Sequence, residues 1–430
     1  LDGGLSPVRT ISQRFILDKE REKAVDRDYK TALQGWVQRT PGQPIAYRLV
    51  DELGPDHARV FVMEVTVGGQ SAGQGRGRTK KEARRFERFV QYAIVAADEA
   101  LAQSGLEVTD ENRDRIAVVF GTGIGGIDEL QKSFATLEEK GPKRVNPLFI
   151  PTMIGNIAAG NLAIRYGMRG ECLNVVTACA TGAHCIGTAL RDIRHGYIDA
   201  ALVGGTEESV SPICIAGFTN LSALTRAEDP KEASLPFDAR RGGFVAGEGA
   251  GALVIESLES ALARGAEPIA EITGFGSTGD AYHMTAPDPE ATAITAAMAA
   301  ALAEGGFTPA DLGHLNAHGT GTPANDATES KALANLMGGA EAAASVPVTS
   351  IKGTTGHMLG AAGAVEAIVC ALSVARDAVP PTAGFAEAAE DCPVAVVTEA
   401  VTDYPQKVAL STSLGFGGHN AALAFSPYNG

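Results

Sequence analysis

The stretch Asn174-Val175-Val176-Thr177-Ala178-Cys179-Ala180-Thr181-Gly182-Ala183-His184 decides how this chain reads. An apolar, β-rich run ends in a cysteine, and a segment of small residues follows at once. Leu173–Thr177 predicts a strand and Thr181 to Arg194 a helix, so Cys179 falls at a strand-to-helix elbow. Helix N-terminal N–H groups and the helix dipole favour a thiolate there. A free cysteine titrates at about 8.5, so such a shift matters for nucleophilic work near neutrality. Taken alone, Cys179 reads first as a buried structural cysteine, the common state of this residue type. The rest of the chain reverses that reading.

Outward from the elbow, helix and strand alternate from residue 84 to the end. Strands are expected at Ile116–Gly121, Ala200–Gly205, Gly249–Ile255, Ile269–Gly274, His314–Ala317, Val346–Ser350, Val408–Ser411 and Asn420–Phe425. Helices are expected at Phe89 to Gln103, Ile157 to Tyr166, Ala291 to Gly305 and Ala361 to Arg376. This is an α/β layered pattern. It also repeats. Glu99-Ala100-Leu101-Ala102-Gln103-Ser104-Gly105-Leu106 precedes the strand at Ile116 and then Gly121-Thr122-Gly123. Ala300-Ala301-Leu302-Ala303-Glu304-Gly305-Gly306-Phe307 precedes the strand at His314 and then Gly319-Thr320-Gly321. Two half-domains of like topology explain the repeat. The second half starts with the strand at Ile269; the first half has no counterpart before Phe89. The expectation is the loss of an interior strand that leaves two neighbours unpaired.

The 430 residues suffice for one large or two ordinary domains. No apolar run is long enough to span a membrane and no N-terminal stretch reads as a signal peptide. Cys172, Cys179, Cys185, Cys214, Cys370 and Cys392 show no CxxC spacing and no disulfide framework, which suggests a reducing, cytoplasmic setting. Charge is uneven. Residues 1–90 carry 17 Lys/Arg and 12 Asp/Glu, net +5, against −20 for the remainder and −15 overall. Such asymmetry points to two parts with different partners.

In the first part, Tyr29 to Gln38 reads as a helix, Ile45–Val50 and Val60–Val67 as strands, and Gly68 to Gly77 as a glycine-rich piece before a helix opened by Arg78-Thr79-Lys80-Lys81-Glu82-Ala83. The motifs Tyr29-Lys30-Thr31-Ala32-Leu33-Gln34, Pro44-Ile45-Ala46-Tyr47, Gly54-Pro55-Asp56-His57 and Gly75-Arg76-Gly77-Arg78-Thr79-Lys80-Lys81-Glu82-Ala83 resemble the α-β-β-β-α double-stranded-RNA-binding domain of ribonuclease III. The resemblance covers residues 18–83. Residues 1–17, opening on Leu1-Asp2-Gly3-Gly4, look like the tail of that family's nuclease domain; its acidic metal-binding residues are absent, so no nuclease activity is expected. The resemblance implies contacts to duplex RNA through His57, Lys80 and Lys81, in keeping with modules that read shape, 2′-hydroxyls and phosphates. Gly35-Trp36 stands where the family usually has Glu after Leu-Gln.

Three stretches join Cys179: Asn316-Ala317-His318-Gly319-Thr320-Gly321-Thr322-Pro323, Lys352-Gly353-Thr354-Thr355-Gly356-His357, and Ser413-Leu414-Gly415-Phe416-Gly417-Gly418-His419-Asn420. Each histidine singly reads as a satisfied structural residue; together, at strand ends of a duplicated α/β fold, they suggest a converging site. With Phe120-Gly121-Thr122-Gly123-Ile124-Gly125-Gly126, Arg241-Gly242-Gly243-Phe244-Val245-Ala246-Gly247-Glu248-Gly249 and Asp280-Ala281-Tyr282-His283-Met284-Thr285, these motifs make residues 84–430 resemble the 3-oxoacyl-[acyl-carrier-protein] synthase II condensing enzymes. The resemblance implies a thiolase-like duplicated α-β-α-β-α layered fold, here lacking its first N-terminal strand, with halves at 84–267 and 268–430. Lys80-Lys81-Glu82-Ala83 belongs to both resemblances, which suggests two genes joined at a short shared sequence; a natural bifunctional fusion is the other reading.

The resemblance implies a decarboxylative Claisen condensation in type II fatty-acid synthesis. Cys179 carries the acyl chain, His318 and His357 promote decarboxylation of malonyl-acyl-carrier-protein, and the N–H groups of Cys179 and Phe416 form the oxyanion hole. Lys352 and Glu366 hold the histidines' surroundings, and Thr320 and Thr322 bind pantetheine. Leu130 and Phe218 line the acyl pocket, and Phe416 gates it. Lys80, Lys81, Arg84, Arg85 and Arg88 meet the acidic carrier protein. No cofactor and no metal are implied, since substrates ride on the carrier's 4′-phosphopantetheine; the expected assembly is a homodimer. Two other readings stand beside this one: an RNA-binding module on an inert synthase scaffold, and a thiolase-fold enzyme that only decarboxylates.

Overall fold

The structure is a computed structural model that describes the backbone of Ile45–Leu53, Val60–Val67 and Gln70–Gly77 and all of residues 86–430. The expected helix at Tyr29 lies outside the described residues. The chain divides into two compact units, Leu1–Phe86 and Glu87–Gly430.

In the first unit, β1 (Ile45–Leu53), β2 (Val60–Val67) and β3 (Gln70–Gly77) form an antiparallel sheet in that order. The glycine-rich piece is thus the third strand of the expected α-β-β-β-α order.

The second unit holds two sheets. The first, in the order β5-β4-β6-β7, is built from β4 (Ile116–Gly121), β5 (Cys172–Leu173), β6 (Ala200–Glu207) and β7 (Gly249–Glu256). The second, in the order β11-β10-β9-β12-β13-β8, uses β8 (Ala270–Gly279), β9 (Leu312–Asn316), β10 (Pro347–Thr349), β11 (Ala395–Val396), β12 (Val408–Gly415) and β13 (His419–Pro427). The helices that matter here are α1 (Arg88–Ser104), α2 (Ile127–Lys140), α3 (Ile157–Tyr166), α4 (Thr181–Arg194), α5 (Pro212–Asn220), α6 (Thr292–Glu304), α7 (Pro323–Met337) and α8 (Ala362–Ala375).

The layering follows from which helices are apolar on two sides. In α4, Ala183, Cys185, Ile186 and Ala189 are buried, and in α8, Ala364, Ala367, Cys370 and Val374. They share one core with Ala117, Val119, Ala201 and Val203 of the first sheet and Ala409, Ala421, Leu423 and Phe425 of the second. α4 and α8 are therefore the central layer. On the second sheet's other face, Ile294, Ala297 and Met298 of α6 and Leu333 and Leu336 of α7 pack over Leu315, Leu410 and Ala424. α1 and α3 bury Phe89, Val90, Ala93, Ala158 and Leu162 on the first half. The result is the five-layered α-β-α-β-α arrangement.

The duplication is visible in pairing. β5-β4-β6-β7 pairs parallel, parallel, antiparallel, and so does β10-β9-β12-β13. β8 then adds antiparallel to β13, outside it. This corrects one expectation. The strand missing from the first half corresponds to β8, which is an edge strand with one neighbour. Its absence leaves one face of one strand, the outer edge of β7, unpaired among the described residues.

The strand expected at Leu173–Thr177 shrinks to Cys172–Leu173. Past the ladder with β4, the Asn174 side-chain oxygen accepts the Thr122 N–H at 3.4 Å. Among the described residues no helix is long and apolar enough to cross a membrane, and all six cysteines are free.

Candidate active site

The four stretches singled out in the sequence meet at a cavity of about 500 Å³ between the two half-domains of the second unit. Cys179, Phe218, His318, Thr320, Thr322, His357 and Phe416 all line it.

Cys179 sits on a short 3₁₀ turn, Ala178–Ala180, directly before α4. The elbow is sharp: Ala178 has φ 51°, a left-handed conformation that costs an L-residue about 1 kcal/mol or more. Thr181 Oγ1 accepts the Thr177 N–H at 2.9 Å and holds the turn closed. β12 ends against it, and Gly415 is required there: a Cβ would lie 2.4 Å from Thr177 O. This approach brings the Phe416 N–H near enough to Cys179 Sγ to favour its thiolate.

The helix terminus does not deliver a standing thiolate. Burial pushes the Cys179 thiol up to about 12, with Lys352 and the Phe416 N–H pulling the other way. Desolvation outweighs the dipole because Cys179 is only 8% exposed.

His318 follows β9, where Ala317 N–H donates to Thr349 O at 2.8 Å. The Glu329 carboxylate accepts the His318 N–H at 2.7 Å and the Gly319 N–H at 2.6 Å, fixing the loop. Lys352, after β10, places Nζ 3.2 Å from His318 Nδ1 and pairs with Glu366. With Lys352 donating to Nδ1, Nε2 carries the His318 proton. His357 is strapped to the glycine-rich 241–249 segment: its N–H donates to Val245 O at 2.7 Å, and its carbonyl accepts the Gly247 N–H at 2.9 Å. The two imidazoles lie edge to face, centroids 5.0 Å apart. Burial, and then the Lys352 charge, hold both well below the ordinary histidine value, so both are neutral.

Thr320 and Thr322 share a hydrogen bond of 2.8 Å at the wall. Phe416 is 36% exposed, on the β12–β13 turn whose Gly417 and Gly418 have φ 91° and 75°. Glu366 lies at 1% exposure on α8.

Two expectations change, and a third is untouched. Leu130 does not line the cavity. It stands 38% exposed on α2, in a surface stripe with Phe134 and Leu137, the i, i+4, i+7 spacing of one helix face. Arg88 is not a free docking cation: it donates to Glu208 at 3.1 Å, Glu248 at 2.8 Å and Asp128 at 3.3 Å, three carboxylates of its own unit. Lys80, Lys81, Arg84, Arg85 and His57 lie outside the described residues.

Three other buried carboxylates went unread. Glu207 at the end of β6 accepts from Thr122 Oγ1, Gly123 N, Ile124 N and Gly360 N, at 2.8 to 3.1 Å. Asp326 and Glu329, one turn apart on α7, hold the His318 loop and Phe237; burial pushes Asp326 up to about 7. The signal was an acidic residue ending an apolar strand, and an acidic i, i+3 pair just after Thr322-Pro323.

Residues 70–261 match the model of the beta-ketoacyl synthase N-terminal domain, 269–386 that of its C-terminal domain, and 29–85 the double-stranded RNA binding motif. The first and third overlap over residues 70–85, the segment that the sequence assigned in part to both parents. The chain is 48% identical over 349 residues to 3-oxoacyl-[acyl-carrier-protein] synthase 2 of Staphylococcus aureus strain N315, covering 81% of this chain and 84% of the relative. Against the Vibrio harveyi protein of the same name it is 44% identical over 348 residues, with the same coverages. Among solved structures it is similar to a beta-ketoacyl synthase from Burkholderia phymatum STM815, with TM-score 0.76 and 31% identity over 93% of this chain and 95% of that one. A type II polyketide ketosynthase in complex with its acyl-carrier protein gives TM-score 0.76 and 31% identity over 80% and 85%.

Proposed function

The chain belongs to the beta-ketoacyl synthase family, and from that premise we propose that it condenses an acyl thioester with malonyl-acyl-carrier-protein to give 3-oxoacyl-acyl-carrier-protein. The observation that carries the proposal is the meeting of Cys179 with two neutral, proton-donating imidazoles at one cavity.

Cys179 Sγ attacks the acyl-carrier thioester carbonyl, and the thiol proton leaves with the carrier's pantetheine thiol. The oxyanion faces the N–H groups of Cys179 and Phe416; each such preorganised donor is worth about 3 kcal/mol in the transition state. Malonyl carrier then enters. His318 Nε2–H and His357 donate to the thioester oxygen as CO₂ departs and negative charge builds there. The enolate carbon attacks the acyl-Cys179 carbonyl, the C–S bond breaks, and the Cys179 sulfur takes up one proton from solvent. Neutral histidines suit this, since a donor is needed and a full positive charge is not. Phe416 on its glycine-flanked turn gates acyl entry, Phe218 lines the acyl wall, and Thr320 and Thr322 bind the pantetheine arm.

The carrier protein is the partner of this reaction, and the cations Lys80, Lys81, Arg84 and Arg85 meet its acidic surface. The α2 stripe Leu130, Phe134 and Leu137 and the exposed Leu173 and Val176 support a homodimer that covers them; sedimentation velocity tests it, and a monomer at micromolar concentration counts against it. The 29–85 match supports binding of duplex RNA through His57, Lys80 and Lys81. RNA and carrier protein then compete for Lys80 and Lys81, and simultaneous binding with unchanged affinities refutes the shared surface. The central test is single-turnover chemistry: labelled acyl carrier should label Cys179, and malonyl carrier should then release the label as 3-oxoacyl carrier. An enzyme that releases only CO₂ is a decarboxylase instead.

A further inference from the structure

Among the described residues, one set of three His, Cys, Asp or Glu side chains brings single donor atoms within 4.8 Å of one another: Cys179, His318 and His357. We propose that these three side chains also bind a thiophilic divalent cation, Zn²⁺ foremost, and that the loaded site is an off state of the enzyme. The metal site stands on geometry alone; the off state rests on the condensing reading above.

One sulfur and two imidazole nitrogens are the donors that zinc takes, with three protein ligands and a fourth position left open. The open position here is the cavity, which supplies water or a small anion. Zn–S of about 2.3 Å and Zn–N of about 2.0–2.1 Å at tetrahedral angles place donors about 3.5 Å apart. The three atoms therefore close by roughly 1 Å, a movement within reach of small χ rotations. Mg²⁺ and Ca²⁺ want oxygen ligands and find none in this set.

The charged groups around the site allow a dication. Lys352, Glu207 and Glu366 act on Cys179, and Glu329 lies behind His318. Three carboxylates thus face one ammonium. Both imidazoles are neutral and so keep a lone pair, and His357 Nδ1 has no hydrogen-bond partner. Binding exchanges one proton for the metal: the Cys179 S–H bond breaks, an S–Zn bond forms, and the proton passes to solvent. His318 is the weak ligand. To offer Nε2 it must move its proton to Nδ1, where Lys352 Nζ now stands at 3.2 Å. Lys352 thus favours the catalytic tautomer over the metal-binding one.

The test uses the untagged, full-length chain with Co²⁺ as a spectroscopic probe. Co²⁺ should give a sulfur-to-cobalt charge-transfer band that Zn²⁺ bleaches. The volume-conserving Cys179→Ser variant should lose the band and bind Zn²⁺ at least about 100-fold more weakly. Lys352→Gln offers an amide oxygen to accept from Nδ1–H and should tighten Zn²⁺ about tenfold. Acyl transfer to Cys179 should stop at saturating Zn²⁺ and return with EDTA. No band, a band that survives Cys179→Ser, or no tightening in Lys352→Gln overturns the three-donor site. Acylation that continues with the site saturated overturns the off state. A metal-free chain that does not condense at all sinks the earlier reading, while the cobalt titration still decides the metal site.

Discussion

The two sheets of the second unit share an order and differ at their ends. Among the described residues the first stops at β7; the second continues to β8 and, at the far side, β11. The shorter half carries Cys179 on the elbow before α4, and the longer half supplies His318, Lys352 and His357. In the proposed reaction one half holds the nucleophile and the other the groups that draw CO₂ from malonate. Duplication gave two equivalent sheets, and divergence gave them different chemical tasks.

Removing the first half's contribution should have the largest effect. Cys179→Ala should lower condensation by about 10⁴-fold or more yet leave CO₂ release from malonyl carrier measurable, because the histidines act without the thiol. Condensation at near wild-type rate removes Cys179 from its role. The reciprocal change is His318→Ala or His357→Ala. Decarboxylation should fall about 10³-fold while labelled acyl transfer to Cys179 changes far less. If acylation falls first, the imidazoles serve the thiol and the division between halves is wrong.

The structural contrast is open to hydrogen exchange. β13 is paired on both sides, by β12 and β8, whereas among the described residues β7 is paired by β6 alone. Alternate β7 amides, those facing away from β6, should exchange at least about 100-fold faster than any interior β13 amide. Uniform protection along β7 means that a segment outside the described residues covers that edge.

The smallest expected effect is on pH. With the thiol pushed up to about 12, acylation should rise with pH between 7 and 9, by up to about tenfold per unit. Both histidines lie well below 6.5, so they stay neutral over the same range and decarboxylation should change less than about twofold. Parallel pH profiles for the two half-reactions erase the distinction.

Ile116–Gly121 was legible, and β12 as far as Ser411, because each is an apolar run bounded by glycine or a polar turn, whereas the two-residue β11 gave no such run. α4 and α8 were legible from small apolar residues. α7 was not, because Asn325, Asp326, Thr328, Glu329 and Ser330 are buried polar side chains that erase the apolar period. Cys179, His318 and His357 were found because strand ends with glycine loops gather ligands. Their electrostatics were not, since the thiol's shift depends on burial that no local pattern reports. Leu130 and Arg88 were misplaced for a related reason: helix register and the carboxylates facing Arg88 are settled only by packing from residues 40 to 160 positions away.

The position of β8 bears on how such a chain tolerates being spliced. A seam cut through an interior strand would break two ladders and separate the elbow from its sheet. A seam at the counterpart of β8 trims the rim of the first sheet and leaves β4, β5 and β6, which frame Cys179, stitched together. The first half of this fold therefore tolerates a join ahead of α1 without a cut through the framework of Cys179, and the edge of β7, unpaired among the described residues, is where such a join would show.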